Sequence, residues 1–250
     1  MSTTGQIRAD DLADRAALVT GSASGIGRAA ALALARNGAA VLCFDSADSA
    51  EVVAEIEAAG GRAIAVQGSV AEEPQVAAAV ERCEAEFGPL RVAVNCAGIG
   101  EFGNLEGDQL DEQRRILEVN LFGSIVVLKH ALAPMRKRGE GSAILIGSVA
   151  GKNGGIRSGP AYGASKGGVH ALVKWAANAY AADGVRVNGI APGPVATPFT
   201  DGRGYTTAGI PLGRLGQPDD LAEAIVYVAS DASSWVTGQI LNVNGGVLME

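Results

Sequence analysis

Hydrophobic and polar positions alternate in blocks along this chain of 250 residues. Short, uniformly apolar runs rich in Val, Ile and Ala favour strands that are buried on both faces. Between them lie longer segments with the apolar period of amphipathic helices. We therefore predict strands at 16–20, 40–45, 62–67, 92–95, 143–148, 185–191 and 240–244, and helices at about 25–37, 47–59, 72–87, 108–138, 160–182 and 218–230.

This alternation of strands and helices predicts an α/β fold. Right-handed βαβ crossovers would build a doubly wound, seven-stranded parallel sheet with helices on both faces. The chain has no low-complexity tract and no linker, so we expect a single domain over 1–250, with a short N-terminal extension at 1–13. Ligands of such sheets bind at the carboxyl ends of the strands, which directs attention to the residues after each strand.

Composition and charge narrow the function classes. The net charge of −7 argues against nucleic acid as a partner, because phosphate binding needs basic surfaces. The three cysteines show no CxxC spacing, so we expect neither a disulfide framework nor a metal site. The polar start of the chain is no signal peptide, and no run of about 18 apolar residues predicts a membrane span. We expect a cytoplasmic protein.

A glycine-rich turn follows the first predicted strand. The stretch TGSASGIG places Gly21, Gly25 and Gly27 directly before a helix. Glycines permit a tight turn and a close backbone approach, and the N–H groups at a helix start attract a pyrophosphate. This spacing favours dinucleotide binding over the alternative, a glycine-rich turn that binds nothing.

An acidic residue closes the second predicted strand. Asp45 stands 20 residues after Gly25, a separation that suits hydrogen bonds from the adenosine ribose hydroxyls to the carboxylate. The same carboxylate would repel a 2′-phosphate, and no Arg or Lys stands beside it, so we predict NAD(H) over NADP(H). The alternative role is a helix N-cap, which Ser46 or Asp48 could fill while leaving Asp45 free.

Seven motifs in order carry a family resemblance. They are TGSASGIG (20–27), NCAG (95–98), VN (119–120), IGSVAG (146–151), YGASK (162–166), APGPVAT (191–197) and GGVLM near the C-terminus. From about residue 14 onward the chain resembles the single-domain short-chain dehydrogenases/reductases, which include 3-oxoacyl-acyl-carrier-protein reductases, ketone reductases and alcohol dehydrogenases. The resemblance implies a Rossmann-like fold with strand order 3-2-1-4-5-6-7.

The resemblance also implies the residues of the site. Its catalytic set falls on Ser148, Tyr162 and Lys166, with Asn120 holding a water behind the lysine; otherwise Asn120 is an ordinary helix asparagine. Thr197 would bind the nicotinamide carboxamide. The residues that the resemblance places around the cofactor are Gly21, Ser24, Gly25, Ile26, Gly27, Asp45, Ser69, Val70, Asn95, Ala97, Gly98, Tyr162, Lys166, Pro192, Gly193, Val195 and Thr197.

The residue types of the YGASK motif suit proton transfer. Tyr162 and Lys166 are one helical turn apart and share a helix face, and Ser148 ends the fifth predicted strand. Exchange of a hydride with an alcohol carbon requires a group that takes or gives the hydroxyl proton. A nearby ammonium lowers the pKa of a phenol. We therefore expect Tyr162 to be the general acid/base, Lys166 to lower its pKa, and Ser148 to orient the substrate oxygen.

The chain departs from the family pattern where the substrate would be chosen. Ser69 replaces the usual aspartate near the adenine, the interval from Ser148 to Tyr162 is one residue longer, and the lid at 197–211 is short, which suggests an open pocket. Three basic side chains, Lys152, Arg157 and Arg203, either meet an anionic substrate or are solvated loop charges. The pocket candidates are Ile99, Gly100, Glu101, Phe102, Val149, Lys152, Asn153, Arg157, Phe199, Arg203 and Tyr205.

The function predicted from these features is NAD(H)-dependent hydride transfer between nicotinamide and a secondary alcohol or ketone, that is, chemistry at CH–OH groups. The alternative is a dinucleotide-binding sensor or scaffold without turnover. The extended branch of the family, with its larger C-terminal domain, fits this chain less well. The resemblance also implies a homotetramer that pairs the helices at 108–138 and 160–182.

Five further residues are assigned no part in the chemistry. His130 and His170 lie on predicted helices and more often serve packing or surface roles. Cys96 follows Asn95 where the family often has a second asparagine, and we expect a small buried residue there. Trp175 and Trp235 are predicted to anchor packing.

Overall fold

A computed structural model describes residues 12–100, 105–106, 110–155 and 158–250. Of the predicted N-terminal extension at 1–13, only the last two residues fall within these ranges. The pocket candidates Glu101, Phe102 and Arg157 lie outside them. The single-domain organisation stays a prediction.

Within the described residues, seven parallel strands form one sheet. They are β1 (Ala16–Thr20), β2 (Ala40–Asp45), β3 (Arg62–Gln67), β4 (Leu90–Asn95), β5 (Gly141–Ile146), β6 (Val185–Pro192) and β7 (Ile240–Val243). Their order across the sheet is β3-β2-β1-β4-β5-β6-β7, and every neighbouring pair is parallel. This arrangement confirms the predicted doubly wound, Rossmann-like fold.

Helices cover both faces of the sheet. In the part of the chain that the structure describes they are α1 (Gly25–Arg36), α2 (Ala50–Ala58), α3 (Glu73–Phe87), α4 (Leu110–Leu117), α5 (Gly123–Arg138), α6 (Ala150–Asn153), α7 (Pro160–Tyr180) and α8 (Pro218–Ala229). Apolar side chains of α1, α2 and α8 pack on one face, and those of α3, α5 and α7 pack on the other. The short helix α6 was not predicted.

The two layers of helices explain why the strands read as uniformly apolar. Successive residues of β1 point to opposite faces: Ala17 and Val19 join one core cluster, while Ala16 and Leu18 join the other. All four side chains are at most 1% exposed. Because neither face meets water, no strand position in the middle of the sheet can be polar without losing hydration.

The fifth strand ends earlier than predicted. The prediction of 143–148 made Ser148 its last residue, whereas the pairing with β6 ends at Ile146, opposite Ile190. The hydroxyl oxygen of Ser148 accepts the N–H of Ala150 at 3.0 Å, and the chain turns there into α6. Ser148 therefore lies in a loop at the carboxyl edge of the sheet rather than in a strand.

The long helix predicted at 108–138 is interrupted. Residues Glu118–Phe122 form a π-helical turn between α4 and α5. Asn120 lies in this turn and is 1% exposed. The hydroxyl of Ser124 donates to the carbonyl oxygen of Asn120 at 2.6 Å, and such bonds from a serine to the carbonyl one turn earlier bend helices. Turns of this kind are frequent at functional sites.

The interrupted helix is also long and contains an apolar stretch. The run Leu110–Arg138 passes a test for membrane spans that considers only length and composition, and 50% of its most apolar stretch is buried inside the fold. Core helices of soluble proteins pass the same test. Its burial against the sheet accounts for its composition without a bilayer.

The two tryptophans do not anchor the core, which corrects the prediction. Trp175 on α7 is 64% exposed, and Trp235 near the C-terminus is 99% exposed. Phe122 and Ile125, beside the start of α5, are also more than two-fifths exposed, at 46% and 43%. These four side chains leave apolar surface exposed on a single chain.

Candidate functional site

One cavity of about 1030 Å³ runs along the carboxyl edge of the sheet. Among the residues predicted around the cofactor, its walls include Gly21, Ser24, Gly25, Ile26, Gly27, Asp45, Ser69, Val70, Ala97, Gly98, Tyr162, Lys166, Pro192, Gly193, Val195 and Thr197. Ser148 also lines it. Asn95 and Asn120 do not line the cavity but lie buried behind its wall.

The glycine turn forms one end of this cavity and requires its glycines. Gly21 and Gly25 have φ of +67° and +53°, which L side chains rarely adopt. A Cβ on Gly27 would lie 2.0 Å from the carbonyl oxygen of Gly21, and a Cβ on Gly21 would lie 2.7 Å from the amide nitrogen of Ala97. The turn opens directly onto the start of α1. This bare backbone fits the pyrophosphate of a dinucleotide.

The carboxylate of Asp45 is anchored to the glycine turn. One oxygen accepts the N–H of Ala23 at 2.9 Å, and the other accepts the N–H of Ala47 at 2.9 Å. Asp45 is thus not free, as the N-cap prediction for Ser46 or Asp48 would leave it, because two backbone donors hold its carboxylate. The residue at the N-cap of α2 is Ser49. Each oxygen keeps further acceptor capacity, so the carboxylate can still accept hydrogen bonds from ribose hydroxyls.

Ser69 and Thr197 both line the cavity. The hydroxyl oxygen of Ser69 accepts the N–H of Ala71 at 3.2 Å, so this side chain closes a local turn. The methyl group of Thr197 lies 3.3 Å from the position of a Cβ on Gly25, which brings the loop after β6 against the glycine turn. The loop after β6 therefore lies close to the glycine turn.

Tyr162 stands near the start of α7 in the wall of the cavity. Desolvation raises the pKa of its phenol to about 12, opposed by a hydrogen bond with Ser148. Tyr205 raises this pKa further and the charge of Arg203 lowers it. The direction is opposite to the expected lowering by Lys166, because loss of hydration outweighs the nearby charges. The ammonium of Lys166 lies 5.8 Å from the centre of the Tyr162 ring.

Lys166 is buried one turn further along α7. Its Nζ donates to the carbonyl oxygen of Ile146, the last residue of β5, at 2.8 Å. Desolvation lowers the pKa of Lys166 to about 8, opposed by Cys96. A Cβ on Gly98 would lie 3.4 Å from this Nζ. The ammonium is thus enclosed between β5, α7 and the loop after β4.

Asn120 joins the loop after β4 to α7. Its Oδ1 accepts the N–H of Ile99 and its Nδ2 donates to the carbonyl oxygen of Ile99, both at 2.8 Å. The same Nδ2 lies 3.1 Å from the hydroxyl of Ser165. The side chain therefore holds the backbone around Gly98 beside Lys166. Its role in holding a water stays a prediction.

Asn95 and Cys96 support the same loop. The Oδ1 of Asn95 accepts the hydroxyl proton of Thr20, and its Nδ2 donates to Ser124 at 2.9 Å. Asn95 thus connects β1 with α5 behind the cavity. Cys96 lines the cavity, and desolvation raises the pKa of its thiol to about 12, opposed by Lys166. A thiol of this kind is a poor nucleophile.

Aromatic side chains form part of the cavity wall near Tyr162. The rings of Tyr162 and Phe199 are 5.6 Å apart between centres. The guanidinium of Arg203 lies 4.9 Å from the centre of the Phe199 ring and donates to the carbonyl oxygen of Gly100 at 3.1 Å. Of the predicted pocket residues, those that line the cavity are Ile99, Val149, Asn153, Phe199 and Tyr205.

Lys152, a candidate for contact with an anionic substrate, has another partner. Its Nζ lies 2.6 Å from a carboxylate oxygen of Glu250, so its charge is paired with the C-terminal tail. Lys152 does not line the cavity, although Val247 of the same tail does. Of the two basic candidates within the described ranges, Arg203 also does not line the cavity, but it lies against Phe199 of the cavity wall. Arg157 lies outside those ranges.

The sequence predicts a packing or surface role for His170, but its side chain contacts the backbone of Ser148 at the site. Its Nε2 lies 3.4 Å from the amide nitrogen of Ser148, which donates to it. The sequence spacing indicates this position: Tyr162, Lys166 and His170 follow one another at intervals of four residues. Such residues lie on one helix face, so a residue four beyond a buried lysine faces the same edge of the sheet.

No cluster of three or more His, Cys, Asp or Glu side chains that could hold a metal ion occurs in the described ranges. The titratable side chains that line the cavity are those of Asp45, Cys96, Arg114, Arg115, Glu118, Tyr162, Lys166 and Tyr205. Together with the glycine turn, these groups suit a dinucleotide and a proton transfer.

Comparisons with known proteins agree with this arrangement. A family model described as enoyl-(acyl carrier protein) reductase matches residues 21–248. The chain is 44% identical over 241 residues to the cis-4-hydroxycyclohexanecarboxylate dehydrogenase of Sinomonas cyclohexanicum, covering 94% of this chain and 96% of that protein. It is 36% identical over 247 residues to the cyclohexanol dehydrogenase of an Acinetobacter species, covering 96% and 97%.

A solved structure shares the fold throughout. It is a putative NAD(P)-dependent gluconate 5-dehydrogenase from Beutenbergia cavernae with bound NADP, which superposes with a TM-score of 0.89 at 39% identity and covers 96% of this chain and 99% of that one. Fold, motif order and these matches lead to one conclusion: the chain belongs to the short-chain dehydrogenase/reductase family of oxidoreductases.

Proposed function

We propose that the protein is an NAD(H)-dependent dehydrogenase/reductase that moves a hydride between nicotinamide and a secondary alcohol or ketone. One observation carries the proposal: Ser148, Tyr162 and Lys166 meet in the cavity whose other end holds the glycine turn and Asp45. A sensor without turnover would need the dinucleotide end alone. The presence of both ends favours an enzyme over that alternative.

Tyr162 is the proposed proton carrier. Its raised pKa keeps the phenol protonated at neutral pH, so it can donate a proton to a ketone oxygen. In the reverse direction the phenol must first lose this proton, and the ammonium of Lys166 favours the phenolate. Because the pKa of Lys166 is about 8, its side chain is mostly charged at pH 7. Ser148 completes the set by hydrogen bonding to the same oxygen.

In this proposal, the residues at the glycine turn and Asp45 bind and orient the dinucleotide. A bound nicotinamide dinucleotide supplies the hydride donor or acceptor. The bare N–H groups of the turn at Gly21 and Gly25 suit its pyrophosphate. The anchored carboxylate of Asp45 suits ribose hydroxyls and repels a 2′-phosphate, which supports NAD(H) over NADP(H) for this chain.

The substrate class that we propose is a ring-shaped secondary alcohol that carries a carboxylate. The printed names of two relatives describe dehydrogenases of cyclohexanol and of a hydroxycyclohexanecarboxylate. The wall formed by Tyr162 and Phe199 suits an alicyclic ring. The guanidinium of Arg203 does not itself line the cavity, but it lies 4.9 Å from the centre of the Phe199 ring, which does. This position supports Arg203 as the cation for a carboxylate at the far side of the substrate ring.

A homotetramer and a cytoplasmic location complete the proposal. The exposed apolar side chains of Phe122, Ile125 and Trp175 lie on or beside the helices that the family resemblance pairs between subunits. Their exposure supports association of chains, since exposed apolar patches of this kind mark interfaces.

The first prediction concerns the proton carrier. Tyr162→Phe removes the hydroxyl alone, and we expect kcat to fall by roughly 10²–10⁴ because the reacting oxygen loses its proton donor. Affinity for NADH, measured by fluorescence titration, should change by less than about twofold. Tyr205→Phe, a second tyrosine of the cavity wall, is the control and should cost less than about tenfold. Activity of Tyr162→Phe close to the unmodified level refutes the assignment.

The second prediction concerns the dinucleotide. We expect kcat/KM with NAD⁺ to exceed that with NADP⁺ by at least about tenfold, a ratio that corresponds to about 1.4 kcal/mol. Asp45→Asn removes the charge and should narrow the ratio, because repulsion of the 2′-phosphate is lost. Asp48→Asn, at an exposed neighbouring carboxylate, should leave it unchanged. A preference of the unmodified protein for NADP⁺ contradicts the proposal.

The third prediction concerns the substrate. With NAD⁺, we expect activity on cyclohexanol and on cis-4-hydroxycyclohexanecarboxylate. Arg203→Leu should raise KM for the carboxylate by about tenfold and leave KM for cyclohexanol within about twofold, because only the first loses a charge-assisted hydrogen bond. Arg214→Leu, at an arginine paired with Asp220 on the surface, serves as the control. Equal changes for both alcohols indicate that Arg203 only supports the loop.

The fourth prediction concerns assembly. Light scattering should give a mass of four chains, and Trp175→Glu should lower it, because a charge in an apolar interface is costly to desolvate. A mass of one chain for the unmodified protein rules out the proposed tetramer.

A further inference from the structure

Three successive backbone N–H groups after β5 have different partners. Those of Gly147 and Val149 donate to carbonyl oxygens of β6, at 2.7 and 3.0 Å. The N–H of Ser148, between them, points to the opposite side and donates to Nε2 of His170 at 3.4 Å. The neighbouring strand thus holds the two flanking peptides, and α7 holds the one that carries the serine.

The contact between His170 and this loop is built into the fold. A Cβ on Gly147 would lie 2.2 Å from Nε2 and 2.6 Å from Cδ2 of the ring. Only a glycine at 147 therefore lets the imidazole reach the backbone. His170 and Ser148 are 7% and 8% exposed, so water does not readily replace the ring as the acceptor for this N–H.

The ring is in the state that can accept a hydrogen bond. Desolvation lowers the pKa of His170 to about 4, and the charges of Lys152, Lys166 and Lys174 lower it further, opposed by Glu250. The imidazole is therefore neutral at neutral pH. With its proton on Nδ1, Nε2 is an acceptor.

We propose that His170 is a positioning residue for Ser148. It fixes the peptide from which the serine hydroxyl reaches the phenol of Tyr162. A buried N–H group without a partner is strongly disfavoured, so loss of the acceptor would rotate this peptide and move the hydroxyl away from the reacting oxygen. The inference rests on the proposed function, because it assigns His170 a part only if Ser148 acts on the substrate oxygen.

In this proposal, a single helix positions Tyr162 and Lys166 directly and Ser148 through His170. Tyr162, Lys166 and His170 occupy successive turns on one face of α7. The first carries the proton, the second carries the charge and the third holds the loop of the serine. Any shift of α7 moves all three together, which keeps the phenol and the serine hydroxyl in register.

A double-mutant cycle tests the proposal, with cyclohexanol and NAD⁺ as the probe reaction. His170→Leu removes the acceptor at similar volume, and we expect kcat to fall on the order of 10–100-fold, as small displacements of a reacting group do. His170→Gln can place an oxygen near the position of Nε2 and should recover most of the loss. In a Ser148→Ala background, His170→Leu should cost less than about threefold more. NADH affinity should stay within about twofold throughout.

Each outcome has a distinct meaning. If Ser148→Ala alone keeps full activity, the role of Ser148 in the proposed function is wrong, and the positioning role of His170 fails with it. If Ser148→Ala is inactive but His170→Leu keeps its activity, the positioning role of His170 is wrong. The same conclusion follows if the losses of kcat from the two substitutions multiply in the double variant, because His170 then only packs. Should His170→Leu not fold, His170→Asn, whose side chain is too short to reach the loop, replaces it in the comparison with His170→Gln.

A measurement without substrate gives an independent test. In ¹⁵N NMR spectra of the imidazole, we expect the neutral tautomer with the proton on Nδ1. A proton on Nε2 would overturn the proposal, because that nitrogen could not then accept from Ser148.

Discussion

Burial of the sheet on both faces is the constraint from which the site follows. Since a buried polar group without a partner is costly, polar side chains that meet a ligand stand where strands end, and parallel strands bring these ends to one edge. Asp45 and Asn95 are the last residues of β2 and β4, and Ser148 follows β5 by two residues. The cavity is therefore a product of topology, and its chemistry depends on which residue stands at each strand end.

Desolvation, more than any single charge, sets the acid–base character of this cavity. It raises the pKa of the Tyr162 phenol and lowers that of the Lys166 ammonium, so both groups move toward their neutral forms. In the proposed reaction, a neutral phenol beside a mostly charged lysine is the form that gives a proton to a ketone. In the reverse direction the phenol must first lose its proton, and the raised pKa opposes that step.

The sequence predicted the layers of the fold well and their local geometry less well. Strand positions such as Leu18 and Val19 were recognised because burial on two faces leaves a continuous apolar run. The end of β5, the π-helical turn around Asn120 and the anchoring of Asp45 were missed, because each depends on hydrogen bonds from side chains to the backbone. Residue periodicity carries no record of such bonds. The predicted lowering of the pKa of Tyr162 was wrong, because desolvation of the phenol depends on all the residues that form the cavity wall around it.

The close approach of Gly147 to His170 has a consequence for how this chain can vary. An alanine at 147 is excluded while the imidazole is present, since the added carbon would overlap the ring. A smaller or more flexible residue at 170 would remove that exclusion. The two positions, 23 apart in the chain, are therefore coupled: the effect of a substitution at 147 depends on the side chain at 170.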